Sequence, residues 1–142
     1  MTIVDLNVLL YAYFTESPHH EPARAWLRHL FAGEETIGLS WVTLWAFIRI
    51  STNVRAWSFP MPTAKVFGII RDWLTKPGVV IVNPGPRHPE LLERLISEGR
   101  AAGPLVTDAA LAALAIENGA VLASTDRDFS RFPGLRWVNP VP

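Results

Sequence analysis

Short apolar triplets alternate with longer stretches of helical periodicity along this chain. Thr2-Ile3-Val4 is a β-type run that stops at Asp5, and Leu6 to Phe14 predicts a helix directly after it. Ser17-Pro18 has the form of a helix start, with Ser as N-cap and Pro at the first helical position. Ala23, Trp26, Leu27, Leu30 and Phe31 then recur at helical spacing until Gly33 closes the segment. Ile37 to Leu39 predicts a short strand, and Ser40 caps a helix from Trp41 to about Thr52. Pro60 and Pro62 interrupt the next stretch, SFPMP. Thr63 to Leu74 is helical by the spacing of Val66, Ile69, Ile70 and Trp73. The run VVIV after Gly78 predicts a strand buried on both faces. Pro84, Pro86 and Pro89 lead stiffly into a helix carrying Leu91, Leu92, Leu95 and Ile96. An alanine-rich helix is expected over Asp108–Asn118, stopped by Gly119, then a strand at 121–124 and a last one near Leu135 to Val138.

Continuous apolar strands separated by helices of about ten residues indicate a parallel sheet covered on both sides. The expected fold class is therefore α/β: a three-layer α/β/α sandwich with a central, mainly parallel sheet, and one domain over residues 1–142. Such sheets place their ligand sites outside the carboxyl ends of the strands. No repeat or low-complexity tract interrupts the pattern.

Composition narrows the function classes. The chain has 142 residues of which 49% are hydrophobic, enough for a sizeable core. No apolar stretch approaches the ~20 residues that span a bilayer, and the N-terminal residues lack the features of a secretory signal, so no membrane role and a cytoplasmic location are expected. The absence of cysteine excludes disulfides and thiolate metal sites. Formal net charge is zero, which argues against a basic coat for non-specific nucleic-acid binding.

The placement of aspartate changes the picture more. Four of the five aspartates, Asp5, Asp108, Asp126 and Asp128, lie beside apolar segments rather than on polar helical faces. Asp5 ends the first strand, while Asp126 and Asp128 follow a late one, so all three should emerge at one sheet edge. Asp108 opens the alanine-rich helix, and joins them if that helix packs against the first strand. Carboxylates crowded in a cleft of reduced dielectric repel one another, by ~4 kcal/mol at ~4 Å and an effective dielectric of 20. Some stay protonated, or a cation neutralises them. Hard oxygen donors favour Mg²⁺ or Mn²⁺, which would polarise a phosphoryl oxygen and activate a water for phosphodiester hydrolysis. Each aspartate also has a plainer use: Asp5 and Asp108 as helix N-caps, Asp126 and Asp128 in an Asx turn. Four together at one edge tip the balance towards a site.

The segments IVDLNVLL, LVTDAALAALAIENGA and TDRDFSRFPGLRW, with GPRH at 85–88 and LSWVTLWAFIRISTN at 39–53, together resemble a PIN domain of the VapC type, the toxins of bacterial toxin–antitoxin pairs. The resemblance covers essentially the whole chain. It implies a Mg²⁺-dependent endoribonuclease, usually a homodimer, restrained by a cognate VapB-like antitoxin. It assigns Asp5, Asp108 and Asp126 as metal ligands, Asp126 completing the site with Asp128 beside it as a fourth catalytic acid, Asn7 as a hydrogen-bonding support and Thr125 as a polar helper. One departure stands out. Many PIN domains carry a glutamate six residues beyond a serine on the helix after the second strand; counting from Ser40 reaches Ala46, and no carboxylate lies between Glu35 and Asp72. A single cation is thereby favoured over two. Glu117, nine residues after Asp108, points about half a turn away and is a poor substitute.

Arg49, Asn53 and Arg55 follow a segment expected near the site and are candidates to reach an RNA backbone, with surface solvation the plainer use of each; Asn7, Thr125 and Arg49 are the candidate substrate contacts. His19, His20 and His88 show no paired ligand spacing and are expected to be solvated. Trp41, Trp45 and Trp57 are able to stack on bases, but helical spacing places Trp41 and Trp45 in the core or at a partner interface. Two rival functions follow from the same residues. A haloacid-dehalogenase-like phosphatase would want a second aspartate where Asn7 stands. A PIN module that binds RNA or protein without cutting is suggested by Ala46.

Overall fold

The computed structural model describes residues 1–142. In chain order the elements are β1 (Thr2–Val4), α1 (Leu6–Tyr13), α2 (His20–Ala32), β2 (Ile37–Leu39), α3 (Trp41–Ser51), α4 (Thr63–Thr75), β3 (Val79–Ile81), α5 (His88–Glu98), α6 (Leu105–Glu117), β4 (Val121–Ala123), a 3-10 turn at Arg127–Arg131, and β5 (Arg136–Val138). The five strands form one sheet in the order β3-β2-β1-β4-β5. Every pairing is parallel.

Alternation along β1 explains the layering, because successive side chains point to opposite faces. Val4 belongs to a core of 18 buried residues built with α1, α2, α3 and α4. Its neighbour Ile3 belongs to a second core of 15, built with α5, α6 and Phe129. The expected three-layer sandwich is what forms. Gly38 of β2 is demanded by packing: a Cβ there would lie 2.8 Å from Ile3 Cγ1 and 3.0 Å from Val82 Cγ1.

The chain builds outward from β1 to β2 and β3, then crosses to the other side of β1 to lay down β4 and β5. Strand order therefore reverses between β1 and β4, the place where open α/β sheets hold ligands. The register there, Thr2 to Val121, Ile3 to Leu122 and Val4 to Ala123, brings both strands to an end at the same level.

Several expectations are corrected. VVIV does not run through the sheet centre; β3 is an edge strand, its residues are partly exposed, and only Val82 beyond it is buried. Four β-branched residues signal a strand but do not say how many neighbours it has. The helix α2 starts at His20, not at Pro18: Ser17 Oγ accepts from His19 N, which closes a turn ahead of the helix. The helix α6 starts at Leu105, one turn before Asp108. Two histidines are not solvated. His20 Nδ1 donates to the Tyr11 carbonyl at 2.9 Å. His88 Nδ1 meets Glu117 Oε2 at 3.1 Å with both side chains largely buried, tying the loop before α5 to the end of α6. His19 is exposed. No helix is long and apolar enough to cross a membrane.

Candidate metal centre and nucleolytic site

Asp5 is the first residue past β1, and its N–H donates to the Ala123 carbonyl, which continues the β1–β4 ladder by one step. The carboxylate does two things. Oδ1 accepts from Leu6 N at 2.7 Å, making Asp5 the N-cap of α1. Oδ2 accepts from Ser124 Oγ at 2.7 Å and Asn7 Nδ2 at 3.2 Å. The capping role and the site role are compatible, because they use different oxygens.

Ser124, opposite Asp5 at the end of β4, is the residue that sequence reasoning missed. Its hydroxyl donates to Asp5 and accepts from Asn7 Nδ2 at 3.0 Å and from Asp126 N at 3.0 Å. One donor and two acceptor positions are thus all used. Its backbone is held as well, N–H to the Val138 carbonyl and carbonyl from the Trp137 indole. Asn7 Oδ1 accepts from Thr125 N at 3.2 Å. Asn7 therefore works inside the protein, fastening the loop after β4 to the start of α1, and Thr125 enters through its backbone. The clue lay in the sequence: a small hydroxyl residue between a buried strand and an acidic turn.

Asp126 caps the 3-10 turn by accepting from Asp128 N at 2.8 Å, which is the local hydrogen bond expected of an Asx turn. That bond folds the chain so that Asp126 and Asp128 face α6. Asp108 sits in the first turn of α6 rather than at its cap, which Pro104 occupies without a side-chain bond. Carboxylate oxygens of Asp108, Asp126 and Asp128 all lie within 4.8 Å of one another. Asp5 is outside that tight group but joined to it through Ser124 and the Asp126 N–H.

The electrostatics follow from this crowding. Burial first, then the charges of Asp126, Asp5 and Asp128, push the Asp108 carboxyl up to about 6, against a smaller opposing pull from Arg131. Burial also raises Asp5, with Asp126 adding to it and the Ser124 and Leu6 hydrogen bonds opposing. Arg131 is the only cation paired with the group, 3.6 Å from Asp128. The donor set is oxygen-only, closely spaced and under-neutralised, which fits a hard divalent cation.

Asp5 and Asp108 open onto a cleft of about 450 Å³ whose other wall is α3, presenting Ser40, Thr43, Ala46 and Arg49. Arg49 is thus brought to the site. Ala46 faces the same cleft, so the α3 wall carries no carboxylate. Trp57 is committed elsewhere, stacked on Phe14 at 3.8 Å. Trp41 and Trp45 are not core residues: they are 40% and 62% exposed.

The PIN domain family model matches residues 2–135. The chain is 44% identical over 140 residues to "Ribonuclease VapC37" of Mycobacterium tuberculosis, covering 99% of this chain and 97% of that protein. It is 40% identical over 141 residues to "Ribonuclease VapC33" of the same organism, covering 99% of each. Among solved structures, VapBC2 from Rickettsia felis bound to a promoter DNA fragment superimposes with a TM-score of 0.71 at 18% identity over 97% of both chains.

Proposed function

Because the chain belongs to the PIN domain family, in its VapC branch, we propose that it is a metal-dependent endoribonuclease and the toxin of a toxin–antitoxin pair. The observation that carries this reading is the convergence of Asp5, Asp108, Asp126 and Asp128 at the point where strand order reverses, in a chain similar along its length to proteins named ribonucleases. The phosphatase alternative is set aside by the same family match.

Asp108 and Asp126 would hold Mg²⁺, or Mn²⁺ in its place, with Asp5 on the adjoining side. When bound, the cation lowers the pKa of a water and offsets charge on the phosphoryl oxygens. The chain's own residues do the rest. Asp128, partly neutralised by Arg131, keeps negative charge at the mouth of the group. Ser124 and Asn7 hold Asp5 in one rotamer, so that its carboxylate is placed before substrate arrives. Arg49 faces the acids across the cleft and binds a phosphate of the strand. Ala46 leaves the α3 wall without a carboxylate, which supports one cation rather than two.

A VapB-like antitoxin as partner, a homodimer as the working form and a cytoplasmic location belong to the same reading. The second reading is a PIN module that binds RNA without cutting, favoured by Ala46 alone. Incubating RNA with the protein in Mg²⁺ and in EDTA separates them. Cleavage is expected in Mg²⁺, absent in EDTA, and reduced at least about 100-fold in Asp5→Asn and Asp108→Asn. Cutting that survives EDTA or both substitutions would sink the mechanism, and intact RNA under all conditions would leave the binding module.

A further inference from the structure

Trp41, Trp45 and Arg49 recur every fourth residue of α3 and so form one ridge along it. The ridge borders the cleft: Val42, Ala46 and Arg49 line it, and the two indoles lie on the adjoining solvent side. Their ring centroids are 6.5 Å apart with planes 36° from parallel, so the two rings do not stack face to face, and both residues are exposed. Arg49 is the one basic residue among those lining the cleft. No acid occurs on α3 or on its flanks between Glu35 and Asp72, so the carboxylates nearest the ridge are those across the cleft, Asp5 and Asp108.

We propose that this ridge is a reading rail for single-stranded RNA, in which a base flanking the cut phosphate stacks on Trp45, the next base outward stacks on Trp41, and Arg49, beyond Trp45 on the ridge, holds the phosphate on the cleft side of the first base. This rests on the nuclease reading above. Duplex RNA is excluded from the rail, because its bases have no exposed face to offer. The charge arrangement, apolar planes leading to a single cation beside an acidic pocket, suits a nucleic acid strand better than an apolar protein surface.

Binding measured in EDTA by fluorescence anisotropy, with a short unstructured RNA of mixed sequence and the same strand annealed to its complement, tests the proposal. The wild type should prefer the single strand. Trp45→Leu should weaken that binding about tenfold, Trp45→Phe should restore most of it, and neither should change the far-UV circular dichroism. Leu keeps apolar area but has no π face, so the Phe rescue separates stacking from mere burial. A Trp45→Leu protein that binds like wild type overturns the rail, as does a wild type that ignores the strand. Self-association lost in Trp45→Leu with RNA affinity intact would make the ridge a protein interface and likewise overturn it. Cleavage by the wild type in Mg²⁺, run alongside, reports on the nuclease reading separately.

Discussion

Ser124 gives away one proton and receives two, and each of those bonds ends on the acidic edge. Replacing it with alanine leaves Asp5 Oδ2, Asn7 Nδ2 and the Asp126 N–H each short of a partner. Hydrogen bonds to charged groups are worth about 1.5–3 kcal/mol, so Ser124→Ala should lower the free energy of unfolding by about 2 kcal/mol in urea titration. It should also raise the Asp5 pKa further, since that bond now opposes the shift. Asp108 makes a second prediction, with a definite sign. Its folded-state pKa of about 6 lies above the ordinary 3.8, so between those values the folded chain holds more proton than the unfolded one. Its contribution to stability is then greatest at the acid end and is lost as pH rises through about 6. In EDTA, Asp108→Asn should gain stability relative to wild type across that window, as read from paired thermal melts. With Mg²⁺ present the order should invert above pH 6, because the ionised carboxylate binds the cation and the folded state is favoured by mass action.

Among the elements, β1, β4 and α1 were legible from the sequence, because an apolar triplet ending at an acid and followed by helical spacing has few other readings. What stayed hidden was relational. VVIV fits a central strand or an edge strand equally well, and only the partner count decides; β3 has one. The extra turn at the front of α6 was masked by Gly103-Pro104, which ends a loop and begins a helix in two residues. The acid-bearing turn after β4 is visible in the sequence, but nothing in the Ser124-Thr125 pair says which hydroxyl organises it; the fold turns Ser124 inward to Asp5, Asn7 and Asp126. The β1–β2 contact yields a prediction at this scale. Gly38→Ala drives a methyl against Ile3 and Val82, both β-branched and stiff. It should cost about 1–3 kcal/mol, measured in urea, and Ile3→Ala, which removes the Cγ1 that the methyl meets, should cost less in the Gly38→Ala chain than in the wild type.

In the whole molecule, two helical layers share one sheet, and the residues that meet at the switch point come from opposite ends of the chain. The aspartates themselves are readable; the geometry that gathers Asp108, Asp126 and Asp128 within 4.8 Å, and joins Asp5 to them through two hydrogen bonds on Ser124, depends on a register no periodicity encodes. Arg49 was foreseen near the cleft, while the buried pairing of His88 with Glu117 was not, because neither residue sits in a recognisable pattern. The hydrogen bond from Ser124 to Asp5 spans 119 positions of sequence. On a translating ribosome the first acid emerges early and waits, and its counterpart leaves the exit tunnel only when the penultimate strand has been made. A polypeptide that ends before β4 therefore carries its first acid without Asp126 and Asp128, and the acidic group is assembled only once the late strand is in place.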